Sequence, residues 1–258
     1  MSEDDDNSIE RLDDVSFGRN ADPVDLIRAV VPAEVMERFE VYSYRNAASV
    51  LANGFPDQFA AIISALGRFK ITTRQIRTPG GSKSVIAKYV DTLFDEAWRE
   101  MRISADLHVK LQPPKGMAIY SSYVREGFLD GHRIDFVNGR VALDLEWNSK
   151  DQTYDRDLYA FSAFYDAGAI DAGVIITRGP SLDNRFFRSL GKVLNKDGSD
   201  GTGDVYKKYG ASTTWMGKLL YRLDAGRNSG CPVLAFGITP KCVADHAVRL
   251  PPPLPPTP

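Results

Sequence analysis

Asn138-Gly139 constrains this chain more than any other dipeptide in it. It is the strongest short signal for a two-residue type I′ hairpin turn, and it stands between two strand-like runs, residues 133–137 and 140–147. With Asn138-Gly139 as the loop, Val137 faces Arg140, Phe136 faces Val141, Asp135 faces Ala142 and Ile134 faces Leu143. Side chains alternate at period two, so Val141, Leu143, Leu145 and Trp147 form one face of the second strand, and Ala142, Asp144, Glu146 and Asn148 form the other. One face is core and the other carries carboxylates. The pairing brings Asp135 diagonally beside Asp144, roughly 7–8 Å away, a gap that one hard cation can span. Carboxylates held so close repel one another and retain their protons unless a cation intervenes. Mg²⁺ meets that need, because it prefers oxygen ligands and keeps waters that can attack a phosphodiester. Spacing alone is equally consistent with the solvated outer face of an edge hairpin.

The order Ile134-Asp135, then Asp144 nine positions later and Glu146 two beyond it, is followed by Trp147-Asn148-Ser149-Lys150-Asp151, a helix start at Asp155-Arg156-Asp157 and the apolar run from Gly173 to Gly179. This stretch resembles the PD-(D/E)XK nucleases, in the form used by BglII-like type II restriction endonucleases. The departures are Asp144, where Glu is common in this group, and Glu146, where the wider superfamily has Lys. A different register would take Asp135, Glu146 and Asn148 as the triplet, but the hairpin places Glu146 one step further from Asp135, so Asp144 is the better metal ligand.

The resemblance implies an α/β fold: a mixed central β-sheet flanked by helices, with a restriction-endonuclease-like (PD-(D/E)XK) core. It implies a Mg²⁺-dependent endonuclease that cuts double-stranded DNA at a short palindromic site and leaves 5′-phosphate and 3′-hydroxyl ends. Homodimers match such sites, and a cognate DNA methyltransferase acts on the same sequence. Carried onto this chain, Asp135 and Asp144 bind the metal with the Leu145 carbonyl. Glu146 orients or deprotonates the attacking water, or binds a second ion. Asn148, Ser149 and Lys150, just beyond the strand, are candidate DNA contacts, with Lys150 either a transition-state cation or a solvent-facing lysine.

The rest of the chain is read in order. Residues 1–22 are acidic and polar with little apolar periodicity, an expected disordered tail. They carry a local charge of −6, which leaves +4 on the remainder although the whole chain is at −2, so a modest basic groove is allowed. Residues 23–248 are expected to form one domain, and 249–258 a Pro-rich tail. A short helix over 23–31, capped by Asp22 with Pro23 at its first position, precedes a half-buried strand over 39–44. Helices follow over 45–52 and 56–66, and 69–77 alternates weakly. Ser82 caps a long helix over 84–101, whose N-terminal amides and neighbouring Lys83 suit a phosphate. Glu96 on that helix is an auxiliary metal contact or a surface charge. Strands are expected over 105–111 and 117–124, and a helix over 155–167 closed by Gly168. Residues 174–177 read as an interior strand parallel to the motif strand. A helix over 182–194 leads into a long loop, 195–210, and residues 211–218 begin a helix whose Ser212 and Thr213 hydroxyls cap it or touch DNA phosphates. Residues 233–239 form the last buried strand.

Cys231 and Cys242 have no metal-ligand spacing and only three histidines accompany them, which argues against zinc and against a disulfide framework. No long apolar run or leader pattern is present, so the expected location is the cytoplasm, away from membranes. Two rival readings remain: a DNA-binding protein that keeps the fold without cleaving, and a glycosidase using the paired acids, which the neighbouring aromatics do little to support.

Overall fold

The computed structural model describes residues 18–81, 83–115, 117 and 121–246. In chain order its elements are α1 (Val24–Arg28), α2 (Ala33–Met36), β1 (Phe39–Tyr44), α3 (Ala47–Gly54), α4 (Pro56–Arg68), α5 (Thr73–Arg77) and α6 (Val85–Asp91). Then come β2 (Arg99–Leu111), β3 (Ser121–Asn138), β4 (Val141–Glu146), α7 (Thr153–Asp166), β5 (Ala172–Arg178), α8 (Asn184–Ser189), β6 (Lys192–Leu194) and β7 (Asp200–Asp204). These are followed by α9 (Val205–Lys208), α10 (Met216–Asp224), β8 (Val233–Ile238) and a single 3-10 turn (Pro240–Cys242).

The central sheet has six strands in the order β1-β8-β5-β4-β3-β2. Strands β4, β5 and β8 are parallel, while β1 and β3 join them antiparallel, so the sheet is mixed as expected. Every residue of β4, β5 and β8 is buried, the burial pattern of strands covered on both faces. One face packs Val141, Leu143, Val174, Ile176, Leu234 and Phe236 against the N-terminal helices. The other packs Ala142, Ile175, Val233 and Ala235 against Leu158, Phe161 and Phe164 of α7 and Leu219, Leu220 and Leu223 of α10. Helix α7 lies close to the sheet because Gly173 has no side chain: a Cβ there would stand 2.3 Å from the Phe161 ring.

Several elements differ from the sequence reading. The hairpin pairs Asn138 with Val141, Val137 with Ala142 and Phe136 with Leu143, each partner two residues beyond the expected one because the turn sits one residue later. The turn is therefore Gly139-Arg140. Gly139 has φ 58° and Arg140 keeps an ordinary φ, the type II′ pattern with Gly at its first central position. The slip keeps Asn138 in the ladder and leaves the left-handed position to the residue that bears it without strain. Instead of one helix over 84–101, α6 ends at Asp91 and β2 already begins at Arg99, so the apolar stripe from Val85 to Met101 is split between helix, turn and strand. Ser84 caps α6 by accepting from Ala87 N at 3.0 Å; the expected cap, Ser82, lies outside the described residues. The weakly alternating 69–77 contains α5, started by a capping box between Thr72 and Gln75. The region expected as helix 182–194 and loop 195–210 holds α8, the β6–β7 hairpin and α9.

Asp22 does not cap α1. Its carboxylate accepts from Ser43 Oγ at 2.5 Å and Asn46 N at 2.8 Å. Within the acidic stretch, residues 18–20 are tied to α10, with Gly18 N, Arg19 N and Asn20 N donating to the Asp224 carboxylate at 2.8, 3.2 and 3.0 Å. The rest of that stretch, residues 1–17, and the Pro-rich residues 249–258 lie outside the described residues. Both cysteines are buried and free. Among the described residues no helix is long and apolar enough to cross a membrane.

Candidate active site at the end of strand β4

Strand β4 ends on an acidic pair, and the alternative of an outer, solvated face fails there. Asp144 is 4 % exposed and Glu146 is 6 % exposed, because β4 is an interior strand and its acidic face is covered by α7. Asp135 reaches the pair through a local irregularity in β3. Between the pairs Arg99–Val137 and Met101–Ile134, β3 advances three residues while β2 advances two, a bulge that re-aims the Asp135 side chain. The β3–β4 ladder stops at Phe136–Leu143, and the two acids then take over the bonding between strands. Asp135 N donates to Asp144 Oδ1 at 2.8 Å, and Leu145 N donates to Asp135 Oδ2 at 3.1 Å. The expected diagonal pairing is thus replaced by acids facing each other across the hairpin.

A fourth carboxylate, noted in the sequence only as part of a helix start and not as a site residue, joins them. Asp157 on α7 is 1 % exposed and raises the pKa of Asp144, Glu146 and Asp135. One turn earlier on the same helix face, Thr153 Oγ1 donates to Glu146 Oε2 at 2.9 Å. A signal was present: Tyr154, Asp157, Leu158, Phe161 and Phe164 fall on one buried stripe, and an aspartate in an apolar stripe is unusual.

Burial is the largest influence on all three motif acids. It lifts Asp144 well above the ordinary carboxylate range, with Asp157, Asp135 and Glu146 adding to the effect and the Asp135 N–H opposing it. Glu146 is pushed up to about 8 by burial and then by Asp157, against the Ser149 and Thr153 hydroxyls. Asp135 lies at the exposed edge and is raised by surrounding protein, while the Leu145 N–H and the Lys83 charge draw it back down. Acids whose folded pKa is raised keep protons that the unfolded chain has already released, so the fold loses stability as pH climbs between the two values. For Glu146 that window runs from 4.5 to about 8. Lys208 acts in the opposite sense above it: burial lowers the Lys208 pKa to about 8, and its cost disappears as pH rises from there toward 10.5. The thermal midpoint of the protein in chelator is therefore expected to fall as pH is raised through the carboxylate window. Glu146→Gln should make that slope shallower, and an unchanged slope would reject the assignment.

A pocket of about 420 Å³ opens beside these acids. One wall is Asp135, Leu145, Glu146, Trp147, Asn148 and Ser149; the other is Thr78, Pro79, Gly80, Gly81 and Lys83 with the start of α6 and Lys208. Lys83, expected as a phosphate contact, thus lies on the wall facing the motif, and its Nζ pairs with Asp91 at 2.6 Å. Lys208 and Gln75 were not singled out in the sequence. Lys208 Nζ donates to Ile76 O at 2.9 Å and to Thr78 O, which fastens the loop that carries Lys83. Glu96 lies in the exposed turn before β2, and Glu100 is the acid on that stretch that lines the pocket.

The remaining candidates converge more than their separation in sequence suggests. Asn148 turns the chain out of β4 with φ 61°, and its Oδ1 is buried without a hydrogen-bond partner. The Ser149 hydroxyl is engaged with Glu146, so it faces inward. Lys150 is exposed and bridges antiparallel to Thr213, while Ser212 O accepts from Asp151 N at 3.0 Å. Ser212 and Thr213 do not cap α10, which starts at Met216; they dock on residues 149–151 instead.

Among the described residues no group of three or more His, Cys, Asp or Glu side chains is arranged to hold a metal ion. The donors nevertheless suit a hard cation that takes only one or two carboxylates and completes its shell with water or phosphate. Asp144 Oδ2 is buried with no hydrogen-bond partner, and Asp135 and Leu145 line the pocket beside it. An unsatisfied carboxylate oxygen in that position calls for either a proton or a cation.

The family model for Restriction endonuclease BglII/BglIII matches residues 39–238, from the first residue of β1 to the last of β8. No curated protein matches the chain.

Proposed function

The chain belongs to the BglII/BglIII family of restriction endonucleases, and from that membership we propose a Mg²⁺-dependent type II enzyme that cleaves double-stranded DNA at a short palindromic site. It works as a homodimer in the cytoplasm, alongside a methyltransferase of the same specificity. The observation that supports this reading best is the buried Asp144 Oδ2, without a hydrogen-bond partner, behind Asp135, which itself lines a pocket together with Glu146 and Lys83.

Asp135 and Asp144, with the Leu145 carbonyl, would hold the ion. When bound, Mg²⁺ polarises a phosphoryl oxygen and lowers the pKa of a bound water. Water attacks phosphorus in line; the bond to the 3′ oxygen breaks, leaving a 3′-hydroxyl and a 5′-phosphate. Glu146, whose ionised form a cation bound nearby would favour, receives the proton of that water at a carboxylate held by the Thr153 and Ser149 hydroxyls, while solvent supplies the proton taken by the departing 3′ oxygen. Asn148 and Lys150 contact DNA from the strand's end, and Lys83 contacts a phosphate from the facing wall.

Supercoiled plasmid incubated with the protein and Mg²⁺ tests the reading. Discrete fragments that map to one repeated sequence are expected, with chelator abolishing them. DNA retained in a gel shift but never nicked with any divalent ion would instead identify a binding protein on a nuclease fold.

A further inference from the structure

We propose that Arg178 is a positioning residue that locks residues 210–214 onto residues 147–151, so that two loops present one DNA-contacting rim beside Asp144 and Glu146. The inference rests on the chain acting on DNA, and assigns the residue that holds its contact surface in place.

Arg178 ends β5, the strand paired with β4, and is 3 % exposed. Its Nε donates to Thr214 O at 3.0 Å and its Nη2 to Thr213 Oγ1 at 2.7 Å, both neutral oxygens of one dipeptide. The guanidinium carbon lies 5.3 Å from the ring centroids of Phe187 and of Tyr209, which stack on each other at 4.2 Å. A cation so deeply buried costs free energy, and well-packed apolar replacements often serve stability as well or better, so stability alone does not account for it, whereas placement of its two partners does. The planar fork matters here: a lysine would keep the charge but could not hold both oxygens in the same geometry.

What Arg178 holds is connected to the site at every step. Thr214 N donates to Ser149 O at 2.8 Å, Ser149 N to Thr214 Oγ1 at 3.2 Å, and Thr214 Oγ1 to Glu146 O at 3.4 Å. Asp151 N donates to Ser212 O at 3.0 Å, and Lys150 bridges Thr213. Lys218 of α10 closes the far end, with Nζ donating to Asp151 Oδ2 at 3.0 Å and to Ala211 O. Lys150 and Ser212 are left exposed on the outer side, where a cation, a hydroxyl and backbone amides suit phosphate oxygens.

The full-length protein is tested as Arg178→Lys, with Thr213→Val as the second variant should the first fail to fold. Hydrogen exchange reads the lock without DNA: in either variant the Thr214 and Asp151 amides should exchange about tenfold faster while β4 and β5 amides keep their protection. On cleavable DNA, Arg178→Lys should raise KM by about tenfold with a smaller change in kcat, the mark of lost ground-state binding. Because both variants break the same contact, the double variant should be about as impaired as the worse single one. Unchanged exchange, unchanged KM, a fall in kcat alone, or multiplying effects in the double variant would each overturn the proposal. If the unmutated protein neither binds nor cuts DNA, it is the nuclease reading that fails, and the exchange result still stands by itself.

Discussion

Asp144→Asn is expected to reduce DNA cleavage by about a thousandfold or more, yet to leave DNA binding and the fold intact. In the native chain Asp144 Oδ1 takes the Asp135 N–H and Oδ2 has no partner, with desolvation and three neighbouring acids set against its charge. An asparagine oxygen can still accept that N–H, and a neutral amide removes the repulsion, so the thermal midpoint at neutral pH should hold or rise. What the amide cannot supply is an anionic donor for a divalent ion. Plasmid cleavage, gel shift without divalent ion and a melting curve check the three parts together. Cleavage at the native rate would reject Asp144 as a ligand; a collapsed melting curve would make it a structural acid.

Phe161→Ala should remove about 3–5 kcal/mol of stability, the range for truncating a buried aromatic ring. Phe161 is fully buried on α7, over the position where Gly173 leaves room for it. The ring fixes the height of the helix that carries Thr153 and Asp157 to Glu146, so the loss should also reach the site. Urea unfolding gives the stability term. A change below about 1 kcal/mol would mean that the surrounding core closes over the space, contrary to the close packing seen at this contact.

Much of this architecture is legible in the sequence because its signals are local. Strand β5 announces itself as an unbroken apolar run, α7 as a periodic stripe closed by Gly168, and β1 and β8 as short segments of strand residues. The errors arise where tertiary context outweighs such signals. Periodicity from Val85 onward fits a helix, yet β3 offers residues 99–111 a long strand to pair with, and the chain leaves the helix at Asp91. Asn138-Gly139 marks the hairpin, but which residues occupy the turn depends on strand twist and on what Asn138 can pair with, neither of which a dipeptide carries. At the site, Asp135, Asp144 and Glu146 are readable as a pattern. Their burial is not, since it depends on β4 being central and on α7 lying across it. Asp157 follows the motif closely but turns toward it only once α7 packs on β4, while Lys208 and Arg178 come from elements further along the chain that folding brings near it.

Asp144 and Glu146 hang from an interior strand, whereas the exposed Lys150 and Ser212 sit on connecting loops beyond the strand ends. Under the proposed reading, bond-breaking and the grip on the DNA backbone would fall to parts of the molecule with different tolerance for change. Loops can change in sequence and length with little disturbance to the carboxylates behind them. Scaffolds divided in this way lend themselves to diversification of target under a conserved chemistry.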